Sequence, residues 1–285
     1  MRNVIIIGSG PAGVSAALYT ARAGFSTTVI TKGDGSLKKA EKIENYYGFP
    51  QPVNGALLES KGREGAENVG VQFVNSEVVG LSFDDKLVVQ TTTGKLSADS
   101  VIIATGAQRS APNVKGIKDY EGKGVSYCAV CDAFFYRGKN VALLGNGEYA
   151  LHEAEALLPI VSSVTLLTNG DRIVADFPSS VKIVTKKLAQ VSGKDSIEKV
   201  IFEDGTSLDI DGLFVAYGVA GSSDLARKIG AQTDAGKIVV DQDMATNIPG
   251  LYAAGDCTGG MLQIAKAVYE GAQAGTSAAK FLRKK

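Results

Sequence analysis

A chain of 285 residues is long enough for two domains of about 100–200 residues each and for a sizeable core. Thirty Lys and Arg balance thirty Asp and Glu, which excludes the basic footprint of a nucleic-acid binder and an acidic tail. Three Cys are too few for a secreted disulfide scaffold and suit a reducing compartment, and a single His puts a His-rich metal site out of reach.

The first apolar run, Val4 to Ile7, is a strand's length, and Gly8, Gly10, Pro11 and Gly13 interrupt the uncharged stretch that follows Arg2. No targeting or membrane segment is expected, and the expected location is cytoplasmic. The run predicts a strand that ends at Gly8-Ser9-Gly10-Pro11-Ala12-Gly13, after which Val14, Ala17, Leu18 and Ala21 recur at helical spacing. A second strand is predicted around Thr27 to Thr31. Two alternating segments with a turn at Thr93-Gly94-Lys95 lead to a buried strand, Val101 to Ile103, closed by Ala104-Thr105-Gly106.

The pattern then recurs. Val141 to Leu144 runs into Gly145-Asn146-Gly147-Glu148-Tyr149-Ala150, and Ala150, Ala154, Leu157 and Leu158 share a helical face. A strand at Val164 to Leu167, a turn at Asp204-Gly205 and a buried strand at Leu213 to Ala216 complete the second copy. Much of the excess of glycine, 34 residues against a usual share of about 7%, falls in these two loops and the turns that close their strands. Leu251 to Ala254 is a further strand ending in Gly255-Asp256, followed by a helix through Ile264, Ala267, Val268, Gly271 and Gly275 whose small-residue face suits packing on the first copy. The fold class is therefore α/β, with two Rossmann-like (three-layer ββα) nucleotide-binding domains, the second inserted in the first. Residues 1–113 and 245–285 are expected to form the discontinuous domain and 114–244 the insert. Crossovers are expected near Pro112-Asn113 and Ala245 to Pro249.

In the first loop the glycines allow a tight turn, close approach to a pyrophosphate and helix–strand packing, while the helix N-terminus offers N–H groups to the anion. Its place between a strand and a helix makes dinucleotide binding the reading over a structural turn. The carboxylate expected about 20 residues on is missing, since the second strand ends Thr31-Lys32-Gly33 with Asp34 nearest, and this weakens an NAD reading. Cys128-Ala129-Val130-Cys131-Asp132 admits three readings: a zinc site that would have to recruit Cys257 and His152 from other motifs, two inert buried thiols, or a redox dithiol. The dithiol is favoured because two intervening residues allow ring closure and such motifs often lower one thiol pKa. Asp132 is a proton carrier or a helix cap. Cys257 reads as a small buried residue.

Five segments, Gly8 to Gly13, Glu44-Asn45-Tyr46 with Gly48-Phe49-Pro50, Ile103 to Ala107, Cys128 to Asp132 with Phe134 to Arg137, and Ala253 to Asp256 with Gln263, resemble the low-molecular-weight thioredoxin reductases, flavoproteins of the pyridine-nucleotide disulfide oxidoreductase superfamily. The resemblance implies that both chain ends build an FAD domain. Gly8, Gly10, Pro11, Ala12 and Gly13 would hold the pyrophosphate, Gly255 and Asp256 the ribityl chain and Gln263 the isoalloxazine edge, with Asn45, Thr105 and Gly106 along the cofactor. Cys131 would face the flavin, Cys128 would attack the thioredoxin disulfide, Asp132 would be the acid/base, and the protein would be a homodimer.

Departures from the family point to the electron donor. Members that use NADPH end the second loop Asp/Asn-Ser/Thr-Ala and place His-Arg-Arg and a further Arg after the next strand. Here the loop reads Gly147-Glu148-Tyr149-Ala150, the strand is followed by Thr168-Asn169-Gly170-Asp171, and Val174 stands where the last Arg would fall. Gly218 to Ser223 replaces the Gly-Thr/His-Ser-Pro-Asn stretch of the insert's end. A 2′-phosphate would lack a guanidinium clamp, with only Arg172 out of register, and would meet Asp171 and Glu148; Asp171 is a candidate ribose contact for NADH, but Tyr149 and Glu148 are expected to crowd the turn. This is similar to the ferredoxin-dependent flavin thioredoxin reductases. A ferredoxin near −400 mV reduces a thioredoxin disulfide near −270 mV downhill by roughly 6 kcal/mol for two electrons. Lysines 32, 38, 39, 42, 115, 118 and 123 are candidate docking residues for an acidic ferredoxin. An NAD(P)H-dependent reductase and a non-catalytic flavin-holding redox sensor are the alternatives.

Overall fold

The structure, a computed structural model, describes residues 2–33, 35–106 and 113–284; Asp34, Ala107 and Pro112, used in the sequence reading, lie outside the described residues. The chain divides into two compact units, Met1–Gln108 with Gly221–Lys285, and Arg109–Ala220.

The first unit begins with β1 (Asn3–Ile7), α1 (Pro11–Arg22) and β2 (Ser26–Thr31). Pro at the first helical position starts α1 without loss of a needed donor. An irregular stretch, pinned by bonds between Ile43 and Val53, leads to α2 (Gly55–Asn68), whose first N–H groups at Ala56 and Leu57 are capped by the Asn54 side chain. β3 (Gln72–Asn75) follows, then an antiparallel excursion of β4 (Val78–Asp84), β5 (Lys86–Thr91) and β6 (Gly94–Ala98), and the chain returns as β7 (Ser100–Ile103).

The second unit opens with β8 (Val125–Ser126) and the single turn α3 (Ala129–Asp132), then β9 (Asn140–Leu144), α4 (Glu148–Leu157), β10 (Ser163–Leu167) and β11 (Lys182–Val184). Its antiparallel excursion is β12 (Leu188–Ser192), β13 (Lys199–Phe202) and β14 (Ser207–Asp209), closed by β15 (Gly212–Val215). The chain then rejoins the first unit with α5 (Ser222–Lys228), β16 (Thr233–Asp234), β17 (Lys237–Ile238), β18 (Leu251–Ala253) and α6 (Ile264–Lys284).

The main sheets are parallel and ordered β18-β7-β1-β2-β3 and β8-β15-β9-β10-β11, so four strands repeat one order in the two units, while the edge strand is the last of the first unit, β18, and the first of the second, β8. Their central strands are covered on both faces, which is why Val4 to Ile7 and Val141 to Leu144 are unbroken apolar runs. α6 lies against α1 because its small residues permit contact: a Cβ on Gly271 would stand 2.1 Å from Ala12 O, and one on Gly275 2.6 Å from Ala16 O.

The return crossover lies at 220–221, not at 245. Residues 221–244 group with the first unit because α5 packs on β4, where the buried Lys228 ammonium donates to Val79 O at 3.1 Å. The stretch Ala245 to Pro249, read as a crossover, is the turn into β18, tied by an Ala245–Tyr252 bridge.

Candidate active site

The first loop is built for close approach. Gly8 has φ +107°, and a Cβ there would meet Ala104 O at 2.4 Å; a Cβ on Gly13 would stand 1.9 Å from Gly8 O. These contacts bring the α1 N-terminus down onto the ends of β1 and β7. Gly10 is different, because a Cβ there meets nothing within 4 Å, so its open side faces space a ligand can use. Thr105 Oγ1 is buried without a hydrogen-bond partner beside the loop's strand ends. An orphaned hydroxyl, a glycine turn with room beside it and an exposed helix N-terminus fit a dinucleotide pyrophosphate. The other residues expected along the cofactor converge within the same unit. Asn45 Nδ2 donates to Gln263 Oε1 at 2.9 Å. Gly106 takes φ +77°, and Asp256 opens a 3₁₀ turn directly after Gly255 at φ +87°. Lys266 and Glu270, an ion pair at 2.9 Å, tie that turn by bonding Gly255 N, Gly255 O and Thr258 Oγ1.

In the second unit Cys128 and Cys131 are joined in a disulfide. Cys128 caps α3, with Cys131 N–H donating to its Sγ at 3.2 Å, and is 3% exposed, whereas Cys131 and Val130 are exposed. Asp132, one turn on, accepts from Ser126 Oγ at 2.6 Å, and the same Ser126 oxygen accepts from Cys128 N–H at 3.1 Å. Ser126 thus links the carboxylate to the backbone of the buried sulfur. Burial, and next the Asp132 carboxylate, raise the Tyr136 phenol above its ordinary value. Phe134 and Phe135, 68% and 70% exposed, flank the disulfide, and the Arg137 guanidinium stacks 5.1 Å from the Phe134 ring.

The second glycine loop is closed from outside. Val174 N–H donates to Asn146 O at 2.9 Å, Asn146 Nδ2 donates to Arg172 O at 2.9 Å, and Val174 Cγ2 lies 3.4 Å from where a Cβ on Gly147 would be. Asp171 Oδ2 accepts from the Tyr217 hydroxyl. Glu148 stands in the first turn of α4. Tyr149 does not crowd the turn, in contrast to the expectation from sequence. It is buried, and its hydroxyl points the other way, donating to Tyr127 O at 3.2 Å.

Ser126 and Glu153 are site residues that sequence reasoning missed, because Ser at a strand end and Glu mid-helix carry no local signal. Val174 was visible as a missing Arg, but not as a plug. Among the described residues no group of three or more His, Cys, Asp or Glu could hold a metal ion, and no helix is long and apolar enough to cross a membrane. Cys257 is wholly buried, and burial pushes its thiol up to about 12; burial, then Asp241 and Asp243, push the Tyr252 phenol up to about 12. Both are neutral when folded, and the unfolded chain ionises them from their ordinary values of 9.0 and 10.0. The stability they contribute is complete below those values and is lost as pH rises toward the folded ones. Melting temperature is expected to fall above about pH 9, less steeply in Cys257→Ala; identical alkaline slopes in thermal melts would contradict this.

A family model described as pyridine nucleotide-disulphide oxidoreductase matches residues 2–271. The chain is 34% identical over 273 residues to a thioredoxin reductase of Aquifex aeolicus, covering 89% of this chain and 84% of that one. In structure it is similar to the atypical thioredoxin reductase TRi of Desulfovibrio vulgaris Hildenborough, with TM-score 0.94, 38% identity and coverage of 100% of this chain and 99% of that one. It is also similar to a ferredoxin-flavin thioredoxin reductase of Clostridium acetobutylicum, with TM-score 0.73, 34% identity and coverage of 99% and 98%. With its paired glycine-loop units, its open first turn and its Cys128–Cys131 disulfide, the chain belongs to the pyridine nucleotide-disulphide oxidoreductases and, within them, to the FAD-binding thioredoxin reductases.

Proposed function

We propose that the protein is a cytoplasmic, homodimeric FAD enzyme that takes electrons from reduced ferredoxin and delivers them through Cys128 and Cys131 to the thioredoxin disulfide. The observation that carries the donor assignment is the second loop, where Val174 is hydrogen-bonded to Asn146 and lies against Gly147, Tyr217 engages Asp171, and the sequence has Val174 in place of the family's last arginine. A nicotinamide dinucleotide would have to displace these contacts and accept Glu148 beside its phosphates.

Gly8, Gly10, Pro11, Ala12 and Gly13 would hold the FAD pyrophosphate, with Asn45, Thr105, Gly106, Gly255, Asp256 and Gln263 along the rest of the cofactor. Bound there, FAD supplies the exchange between the single electrons of ferredoxin and the electron pair that a disulfide requires. Once the disulfide is reduced, the Cys128 thiolate attacks one sulfur of the thioredoxin disulfide, whose S–S bond breaks as a mixed disulfide forms. Asp132 gives a proton to the leaving thioredoxin thiolate. The Cys131 thiolate then attacks Cys128, breaking the mixed disulfide and restoring the intramolecular one, and the released thioredoxin thiolate takes its proton from water to give the dithiol. Because Cys128 is 3% exposed, a conformational step that uncovers it precedes the attack.

Two further features support partners. Tyr19 on α1 and Leu57 on α2 are large exposed side chains, suited to burial against a second copy of the chain. Of the candidate ferredoxin-docking lysines, Lys32 is engaged by Glu77, Lys42 by Glu44 at 2.8 Å, and Lys38 has a partner as well, which favours Lys39, Lys115, Lys118 and Lys123.

Anaerobic titration tests the donor. NADPH and NADH at micromolar levels are expected to leave the flavin absorbance oxidised, while reduced ferredoxin bleaches it and supports thioredoxin turnover. Fast bleaching by either nucleotide overturns the ferredoxin reading in favour of an NAD(P)H-dependent reductase. Bleaching by ferredoxin without turnover would leave a flavin-holding sensor.

A further inference from the structure

Tyr149 and Glu153 lie one turn apart on α4, both 1% exposed, and each holds one of the peptide groups that flank Cys128. The Tyr149 hydroxyl donates to the carbonyl of Tyr127 at 3.2 Å, and Ala129 N–H donates to Glu153 Oε2 at 2.6 Å. Residues at i and i+4 on one helix face thus grip the chain immediately before and after the buried sulfur. We propose that α4, the helix that follows the closed glycine loop, braces the dithiol, with Tyr149 and Glu153 as positioning residues that hold the Cys128 backbone and set the ionisation of its thiol.

The charge pattern around Cys128 gives the direction. Cys131 N–H points at Cys128 Sγ and favours a thiolate there. The Glu153 carboxylate, one peptide group away, opposes it. The other titratable groups nearby are Asp132, engaged by Ser126, and Tyr136 from the segment after the disulfide. Tyr127, whose hydroxyl donates to Glu121, precedes Cys128, and His152 and Tyr149 come from α4. Glu153 places a carboxylate oxygen on the peptide group that joins Cys128 to Ala129. A thiol held near ambient pH is the better nucleophile, because intrinsic nucleophilicity falls with pKa, and a dithiol whose thiolate is not over-stabilised is the stronger reductant. A buried carboxylate at this place serves both ends.

The test uses the reduced, FAD-loaded Cys131→Ser protein, in which iodoacetamide labelling of Cys128 is followed by mass spectrometry as pH is varied. Buried Cys257 stays unlabelled. Glu153→Gln retains an acceptor for Ala129 N–H and removes the charge, so the midpoint of the labelling profile is expected to fall by about one pH unit, making labelling below the midpoint up to about tenfold faster. An unchanged midpoint in a variant of parental melting temperature reduces Glu153 to a helix cap and overturns the proposal. Should Glu153→Gln fail to fold, Tyr149→Phe decides: loss of one hydrogen bond is expected to speed amide exchange over residues 127–132 by about fivefold. Exchange at the parental rate would overturn the brace.

Discussion

Cys131→Ser is expected to accumulate a covalent complex with thioredoxin through Cys128, and Cys128→Ser to lose thioredoxin turnover by at least about a thousandfold. The assignment of the attacking sulfur follows from its surroundings. Cys128 Sγ receives the Cys131 N–H at 3.2 Å, so a thiolate at Cys128 has a donor already in place. Asp132, through Ser126, sits beside the same peptide group and can return a proton to the departing sulfur. Removing Cys131 leaves the mixed disulfide with no thiol to resolve it, whereas removing Cys128 leaves nothing to form it. Non-reducing electrophoresis followed by peptide mapping reads the result. A stable thioredoxin adduct on Cys131 in Cys128→Ser would reverse the two roles, and the exposure of Cys131 makes that a real alternative outcome.

Gly13→Ala and Gly10→Ala are expected to separate folding from cofactor binding, although they lie three residues apart in one loop. A methyl on Gly13 would stand 1.9 Å from Gly8 O, a contact relieved only by lifting α1 from the end of β1. Overpacking of this kind costs about 1–3 kcal/mol or more, and both melting temperature and FAD content are expected to fall. A methyl on Gly10 meets no protein atom within 4 Å, so the fold is expected to survive. It would occupy the space beside the helix N-terminus, and FAD affinity is expected to drop at least about tenfold, roughly 1.4 kcal/mol. Flavin fluorescence titration of the apoprotein and thermal melts check both. Parental FAD affinity in Gly10→Ala would place the pyrophosphate elsewhere.

Much of this architecture could be read from residue order because it rests on short periods. Val4 to Ile7 and Val141 to Leu144 are continuous apolar runs since both faces of a parallel strand are covered, and each is followed at once by a glycine turn. The matching orders β7-β1-β2-β3 and β15-β9-β10-β11 follow from that repetition. Boundaries were less legible. Proline in Ala245 to Pro249 was read as a crossover, and only the packing of α5 on β4 shows that the chain had already rejoined the first unit at residue 221. Tyr149 illustrates the same limit: its position in the loop suggested obstruction of the turn, while its side chain is drawn beneath the disulfide by the carbonyl of Tyr127.

Residue order by itself determined that the chain holds two dinucleotide-type units, that the first carries the Gly8-Gly10-Gly13 turn, that Cys128 and Cys131 are spaced for a ring, and that the second unit lacks its arginines. These are facts of composition and spacing over ten residues or fewer. The tertiary structure decided what fills the second turn, which sulfur of the pair is covered, and that α4 reaches the dithiol through Tyr149 and Glu153. Each of those depends on atoms 20 or more residues apart in the chain meeting at hydrogen-bond distance, as Ala129 and Glu153 do at |i−j| = 24, and no local period encodes such a meeting. The near-zero net charge that excluded nucleic acid is unaffected by any of this, since what distinguishes the second unit is where single charges stand.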